Sequence, residues 1–287
     1  MTRPRTLAAA LAAALLAALP LVPRTAPAQP LPIFDAHVHY GQNDWAAHPP
    51  ADVLRAFAAA GVARALVSST PDDGTLRLRA AAPERVAPFL RPYRGAVNSG
   101  NWMRDDTLLD YLKGRLERGG YLGIGEFHLP GDEDARTSQV RAVAALAVER
   151  GLFVQVHSGA GPVRALFALQ PGLKVLWAHA GMSEPPEEVG KLLDAHGQLW
   201  TEVSFRAGEI ASGDGVAPAW RALFQRHPDR FLVGTDTYVT SRWDGYGGLI
   251  AEHRHWLDQL PRDLAERIAW RNAVRLFGSG GVKELEP

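Results

Sequence analysis

The sequence has no cysteine among its 287 residues. Without thiols the folded chain has no disulfide, no thiolate metal ligand and no cysteine nucleophile. Any bound metal must therefore be held by histidine, aspartate, glutamate or main-chain oxygen.

The sequence also lacks an excess of either charge. Its 31 lysines and arginines balance 31 aspartates and glutamates, so no net field attracts nucleic acid or anionic lipid. We therefore expect a small-molecule substrate as partner, and no nucleic acid. The composition does not fix the oligomeric state.

Residues 1–28 have the features of a secretory signal peptide. Two arginines precede an apolar run at residues 7–19, and a small-x-small cleavage site ends at Ala28. The run is too short for a comfortable membrane span, and a retained N-terminal anchor is the alternative. Cleavage would leave residues 29–287 without membrane attachment and in a periplasmic or secreted location. The formal charge would fall from 0 to −3, because the leader contains three arginines.

Eight short apolar segments alternate with amphipathic helical patterns after the leader. The predicted strands are residues 33–40, 64–69, 86–93, 121–129, 153–158, 174–180, 199–205 and 231–238. The predicted helices cover residues 51–61, 105–118, 135–150, 162–169, 185–196, 218–227, 249–260 and 264–277. Parallel neighbours need crossovers, so the order predicts an α/β fold, a single-domain distorted (β/α)8 TIM barrel over residues 29–287. A doubly wound open sheet is the alternative.

Titratable residues close five of these strands. They are His37 and His39 on the first, Glu126 on the fourth, His157 on the fifth, His179 on the sixth and Asp236 on the eighth. Residues two apart on a strand point to the same side, and the carboxyl ends of all barrel strands meet at one mouth. Imidazoles and carboxylates gathered there are costly unless a cation satisfies them. The pattern therefore predicts a divalent metal, with zinc favoured and manganese, iron or cobalt as alternatives.

This ordered set of strand-end residues resembles that of the amidohydrolase superfamily. The segments FDAHVH, VHSG, WAHAG and GTD resemble its amidohydrolase-related branch of small metal-dependent hydrolases. The resemblance covers nearly the whole chain after the leader. It implies a barrel enzyme with one or two metal ions at the mouth.

Carried over residue by residue, the resemblance implies two metal positions. The implied ligands are His37, His39 and Asp236 for the more buried ion, His157 and His179 for the second, and Glu126 as the bridge. Many members have a carbamylated lysine after strand four, and a glutamate there is similar to the TatD-type members.

Decarboxylase-like members are similar but hold one ion, with the strand-six histidine acting on the substrate or on water. Glu126 favours two ions over one. Its alternative use is an ion pair with Arg91, Arg94 or Arg206.

The implied function is that of an exported hydrolase. A metal-activated hydroxide would attack a carbonyl or phosphoryl centre of a small molecule, with Asp236 moving the proton and His179 as the second catalytic residue. The alternatives are a mononuclear non-oxidative decarboxylase and a periplasmic metal- or substrate-binding protein without catalysis. Trp102, Tyr238 and Trp243 are expected in loops over the mouth, where they either shape an apolar pocket or pack against the loops.

Overall fold

The computed structural model describes residues 30–213, 215–278 and 280. The predicted signal peptide and its cleavage site lie outside these ranges. The chain divides into Met1–Pro30 and Leu31–Pro287, and the fold is that of the second unit. No helix in the described ranges has both the length and the apolarity to cross a bilayer.

One sheet of eight parallel strands forms the centre of the molecule. In sheet order the strands are β1 (Ile33–Val38), β2 (Val62–Val67), β3 (Val86–Leu90), β4 (Gly123–His128), β5 (Phe153–His157), β6 (Lys174–Trp177), β7 (Leu199–Glu202) and β10 (Phe231–Leu232). The sheet closes through a parallel bridge between Asp35 and Val233, where the amide of Ala36 donates to the carbonyl of Val233 at 2.8 Å. The predicted distorted (β/α)8 barrel is therefore confirmed.

Helices surround this barrel and connect its strands. They are α1 (Pro50–Ala60), α2 (Asp73–Ala81), α3 (Leu108–Leu116), α4 (Ser138–Arg150), α5 (Ala160–Leu169), α6 (Pro186–Ala195), α7 (Ala207–Ile210), α8 (Pro218–Arg226), α9 (Ser241–Asp244), α10 (Tyr246–Leu257), α11 (Arg262–Glu266) and α12 (Asn272–Phe277). A small antiparallel pair, β8 (Ala211–Ser212) and β9 (Gly215–Val216), follows α7. The strands are buried along nearly their whole length, as expected for parallel strands covered by helices.

Several parts of the fold differ from the sequence prediction, which did not include the short helices α7 and α9 or the β8–β9 pair. Helix α2 was not predicted, because its sequence begins with Asp73-Gly74 and has no long apolar stripe. A Cβ at Gly74 would lie 1.9 Å from the carbonyl of Tyr40, so the glycine permits a close approach to the chain after β1. The last three strands of the barrel are also shorter than predicted, since β6 ends at Trp177, β7 ends at Glu202, and only Phe231–Leu232 of the eighth strand pairs regularly with β7.

Asp35 connects the first strand to the segment after the last strand at the barrel seam, the place where β1 meets Val233 and the barrel closes. Its buried carboxylate accepts hydrogen bonds from the Thr235 amide at 3.0 Å and hydroxyl at 2.6 Å, and from the Tyr246 hydroxyl at 2.8 Å. Burial raises the pKa of Asp35 to about 6, against the effect of these hydrogen bonds. The first strand and the segment after the last one are thus joined by side chains directly beneath the mouth.

Candidate metal centre

All the predicted site residues lie at one mouth of the barrel. They are His37, His39, Glu126, His157, His179 and Asp236, and the structure excludes none of them from the site. His179 Nε2 lies 3.5 Å from Glu126 Oε1 and 3.7 Å from Asp236 Oδ2. These two contacts connect the two halves of the site.

The inner group consists of His37, His39 and Asp236, and all three side chains are buried. Asp236 Oδ1 lies 3.2 Å from His39 Nε2 and 3.6 Å from His37 Nε2. The two Nε2 atoms lie 3.1 Å apart. The potential ligand atoms of the group all lie within 4.8 Å of one another, which is compact enough to surround a single ion.

Hydrogen bonds behind the rings fix the tautomers of the two inner histidines. His37 Nδ1 lies 2.9 Å from a carboxylate oxygen of Glu202, and His39 Nδ1 lies 2.5 Å from the carbonyl oxygen of Ser68. Both partners are acceptors, so each Nδ1 carries a hydrogen, and Nε2 of each ring is turned toward the other, where it could coordinate a metal ion.

The donor set fits a metal ion. Asp236 Oδ1 is buried and has no hydrogen-bond partner within the described ranges, although it faces the two Nε2 atoms. Burial of such a group is costly unless something pairs with it. A divalent cation would satisfy the carboxylate oxygen and both Nε2 atoms together.

The electrostatics of the mouth also favour positive charge. Burial alone would lower the pKa of His37, but without a bound cation the carboxylates of Asp236, Glu126 and Glu202 raise it well above its usual value. A metal ion at the centre would supply this positive charge in place of the proton and would leave Nε2 free to coordinate. Burial opposes ionisation of Asp236 and Glu126, yet His37 lowers the pKa of both carboxyl groups. Both therefore stay ionised at neutral pH.

Glu202 is a residue of this site that the sequence analysis did not predict. One of its oxygens lies 2.9 Å from His37 Nδ1 and accepts from the His179 amide at 2.7 Å, while the other accepts from the Ser204 amide at 2.7 Å. Burial raises its pKa, but the two histidines and these hydrogen bonds lower it to about 2. Glu202 closes the seventh strand, so the strand-end rule applied to the other five strands would have found it.

The chain around the mouth adopts unusual backbone angles. Every non-glycine residue with a left-handed φ in the described ranges lies there: His179 (57°), Ala180 (46°), Met182 (60°), Phe205 (63°) and Asp236 (53°). Such angles are strained for residues with a Cβ and persist only where the surroundings enforce them. Strained positions concentrate at functional sites.

A buried arginine holds the turn that carries His179. The guanidinium of Arg206 donates to the carbonyls of His179 at 3.2 Å, Ala180 at 3.1 Å and Glu184 at 2.8 Å. The side-chain Nδ1 of His179 lies 2.6 Å from the Ser204 hydroxyl. The turn and the ring are therefore both fixed from behind.

The outer group consists of Glu126, His128 and His157. Glu126 Oε1 lies 3.0 Å from His157 Nδ1, and Oε2 lies 3.2 Å from His39 Nε2. The side chain of His157 is 28% exposed, in contrast to the buried inner rings. Glu126 thus reaches both groups, as a bridging ligand would.

Glu126 also makes the ion pair that the sequence analysis considered. Arg91 donates to Glu126 Oε2 at 2.9 Å and to its carbonyl at 3.1 Å. The other two arginines have different partners, since Arg94 pairs with an aspartate and Arg206 with a glutamate on its own loop. Arg91 therefore pairs with the same carboxylate oxygen that faces His39 Nε2, and a bridged ion would have to share that oxygen with the guanidinium.

Tyr93 holds His128 in position. The Tyr93 hydroxyl accepts from the His128 amide at 2.8 Å and lies 2.9 Å from His128 Nδ1. Burial lowers the pKa of His128 to about 4, and the ring stacks on that of His157 at 4.3 Å.

A cavity of about 510 Å³ opens over the metal donors, next to a second of about 530 Å³. Arg91 and Tyr238 line both. Of the three aromatic residues expected over the mouth, Tyr238 is there and is 59% exposed, whereas Trp102 and Trp243 are buried in the core. The indole of Trp102 donates to the carbonyl of His128 at 2.9 Å, so it supports the outer group from behind.

Comparisons with known proteins agree with this fold. A family model described as amidohydrolase matches residues 34–279. Comparison with curated proteins gave no match.

Among solved structures, the chain is similar to a candidate 2-pyrone-4,6-dicarboxylic acid hydrolase from Pseudomonas putida, with 19% identity, coverage of 89% of this chain and 99% of that one, and a TM-score of 0.61. It is similar to a zinc-containing amidohydrolase from Burkholderia multivorans, with 15% identity, coverage of 86% and 99%, and a TM-score of 0.57. It is also similar to the 5-carboxyvanillate decarboxylase of Sphingomonas paucimobilis, with 14% identity, coverage of 86% and 99%, and a TM-score of 0.55. At these identities the structures share the fold.

Proposed function

The chain belongs to the amidohydrolase family and is a metal-dependent enzyme of that kind. On this basis we propose that it hydrolyses a carbonyl or phosphoryl centre of a small molecule. The observation that carries the proposal is the inner group. The Nε2 atoms of two histidines face a carboxylate oxygen there in a buried space, and that oxygen has no hydrogen-bond partner among the residues that the structure describes. Membership of an enzyme family favours this function over the binding protein without catalysis.

We propose zinc as the metal, held by His37, His39 and Asp236. Imidazole nitrogen and carboxylate oxygen suit zinc, and less selectively manganese, iron and cobalt. A second ion would be held by His157 and His179, with Glu126 as a TatD-like bridge. The zinc-containing relative supports the choice of metal.

The residues divide the chemistry between them. A bound divalent ion supplies polarisation of the substrate oxygen and lowers the pKa of a coordinated water. Asp236 offers Oδ1 as a ligand and directs Oδ2 toward His179. The carboxylate takes a proton from the attacking water and gives it to the leaving group as the bond to that group breaks. His179, whose Nδ1 lies 2.6 Å from the Ser204 hydroxyl, would help to hold the second ion; with a single ion bound, it would instead orient the substrate oxygen.

Non-oxidative decarboxylation is the second candidate. The ion pair between Arg91 and Glu126 favours it, because the arginine competes with a second ion for the same carboxylate oxygen. A barrel relative of similar size is a 5-carboxyvanillate decarboxylase. In that case the inner group would hold the single ion.

Metal content separates the two candidates. We expect about two equivalents of metal per chain in the wild type and about one in a His157→Asn variant, because His157 is the most exposed ligand of the second position. About one equivalent in both proteins would favour the decarboxylase.

Activity is then measured with zinc or manganese on a panel of esters, amides, lactones, phosphoesters and aromatic carboxylates. Hydrolysis that stops on chelation and returns with metal supports the proposal. Release of carbon dioxide without hydrolysis of any panel member would contradict it.

We also propose that the protein is exported and that residues 1–28 are removed. The charged start, the apolar run and the cleavage site ending at Ala28 support this. Mass spectrometry of the mature N-terminus tests it, and a retained leader would contradict it.

A further inference from the structure

Large apolar side chains that are exposed lie mostly at the barrel mouth. In the described ranges these side chains are Val148, Met182, Phe205, Tyr238 and Val239. All except Val148 come from loops that follow β6, β7 and β10, at the catalytic end of the barrel. Exposed apolar side chains gathered in one place mark a binding surface.

Two of these side chains belong to residues whose backbone has an unfavourable left-handed conformation. Met182 has a φ of 60° and Phe205 a φ of 63°. A glycine would adopt either angle without strain, yet both positions carry large apolar side chains that are 37% and 41% exposed. Core packing does not account for them, so the strain serves the surface that they form.

Contacts beneath the rings keep this surface rigid. The guanidinium of Arg242 lies 4.4 Å from the Phe205 ring centre and 5.9 Å from that of Tyr238. Its own position is fixed by donation to the carbonyl of Thr235 at 2.6 Å. The edge of the Phe205 ring also meets His179, with ring centres 5.4 Å apart. The surface therefore begins at the metal donors.

Met182, Phe205 and Tyr238 line the same cavity as Glu126 and Asp236. We propose that these three residues form an apolar wall that binds a flat apolar ring attached to the reacting carbonyl group of the substrate. The proposal rests on the proposed metal site, because the metal places that carbonyl group. The wall selects substrates and takes no part in bond breaking.

A matched pair of metal-chelating probes tests the wall without requiring turnover. Acetohydroxamate and benzohydroxamate carry the same chelating group and differ in a methyl against a phenyl substituent. Titration calorimetry on the zinc-loaded protein gives both dissociation constants. We expect benzohydroxamate to bind at least about tenfold more tightly, as burial of an aromatic ring predicts.

The Phe205→Gly variant removes the ring and relieves the left-handed backbone, so it should fold. We expect its preference for benzohydroxamate to fall to within about threefold, with acetohydroxamate binding unchanged. Met182→Ala should reduce the preference by a smaller factor. Val148→Ala, on the outer face of α4, is the matched control and should keep the full preference.

The outcomes are distinct. Equal binding of the two probes to the wild type, or an undiminished preference in Phe205→Gly, overturns the wall. Failure of both probes to bind the zinc-loaded protein overturns the metal site instead. A preference lost equally in Val148→Ala also overturns the wall, since the loss would then be unspecific.

Discussion

The two sides of the mouth present similar ligand types in different surroundings. On the inner side the rings of His37 and His39 are buried, and acceptors behind them fix the tautomers. On the outer side the His157 side chain is 28% exposed, and Glu126 is shared with Arg91. The inner side is therefore closed to solvent and held by fixed hydrogen bonds, whereas the outer side is open to solvent.

The largest expected effect tests the inner side directly. Asp236→Asn removes the charge and the proton acceptor while keeping the shape, so we expect turnover to fall by about 10² to 10⁴. Circular dichroism should show an intact fold. Asp244→Asn, which changes an exposed carboxylate on α9, is the control and should keep wild-type activity. Wild-type turnover in Asp236→Asn would remove the assigned proton role.

The next largest effect tests whether Glu202, which contacts His37 Nδ1 from behind the ring, contributes to metal affinity. Both oxygens of Glu202 accept N–H groups, and an amide nitrogen cannot accept, so Glu202→Gln leaves a donor facing a donor. We expect metal affinity to fall about 10- to 100-fold, as for other residues behind metal ligands. Glu149→Gln alters an exposed glutamate on α4 and should change little. Equal affinities in the two variants would show that the inner side does not depend on this carboxylate.

The smallest effect concerns the pH dependence of protein stability, through His253, a buried residue behind the inner group. His253 Nε2 lies 2.8 Å from the carbonyl of Gly234, and Trp256 donates to its Nδ1 at 3.3 Å. Burial lowers the pKa of His253 to about 4 from an ordinary 6.5. Below pH 6.5 His253 binds a proton in the unfolded chain but not in the folded chain. The contribution of His253 to the free energy of unfolding is therefore fully present above pH 6.5 and is lost as the pH falls toward 4.

A His253→Met variant removes this titration. Relative to it, the wild type should lose roughly 1–2 kcal/mol of unfolding free energy between pH 6.5 and 5. Chemical denaturation of both proteins at each pH measures the difference. Parallel curves would mean that the folded protein protonates His253 as readily as the unfolded chain does.

The sequence predicted the repeating strands of the barrel better than it predicted elements that break the repeat, such as helix α2. Eight apolar segments predicted eight strands, because burial of parallel strands leaves a continuous local pattern. The site residues followed from one rule about strand ends, and all of those named by it meet at the mouth. Helix α2 escaped because its fit depends on a glycine approaching Tyr40, a contact that no local pattern records.

Other features depend on partners far apart in the chain. The left-handed turn at His179 is held by Arg206, and the Arg91 pairing joins two separate strands. Sequence periodicity cannot report such contacts, because it measures only which faces are apolar. Glu202 differs from these cases, since the strand-end rule covered it and was not applied to the seventh strand.

The barrel seam has a consequence for how the folded chain resists opening. The first strand and the segment after the last are joined there by few backbone bonds and by Asp35. An ion held by His37 and Asp236 would tie together points roughly 200 residues apart, and closing so long a loop restricts the unfolded chain strongly. In a protein without disulfides, the bound ion would then also stabilise the folded chain. Removal of the metal would therefore cause loss of the folded enzyme as well as loss of its activity.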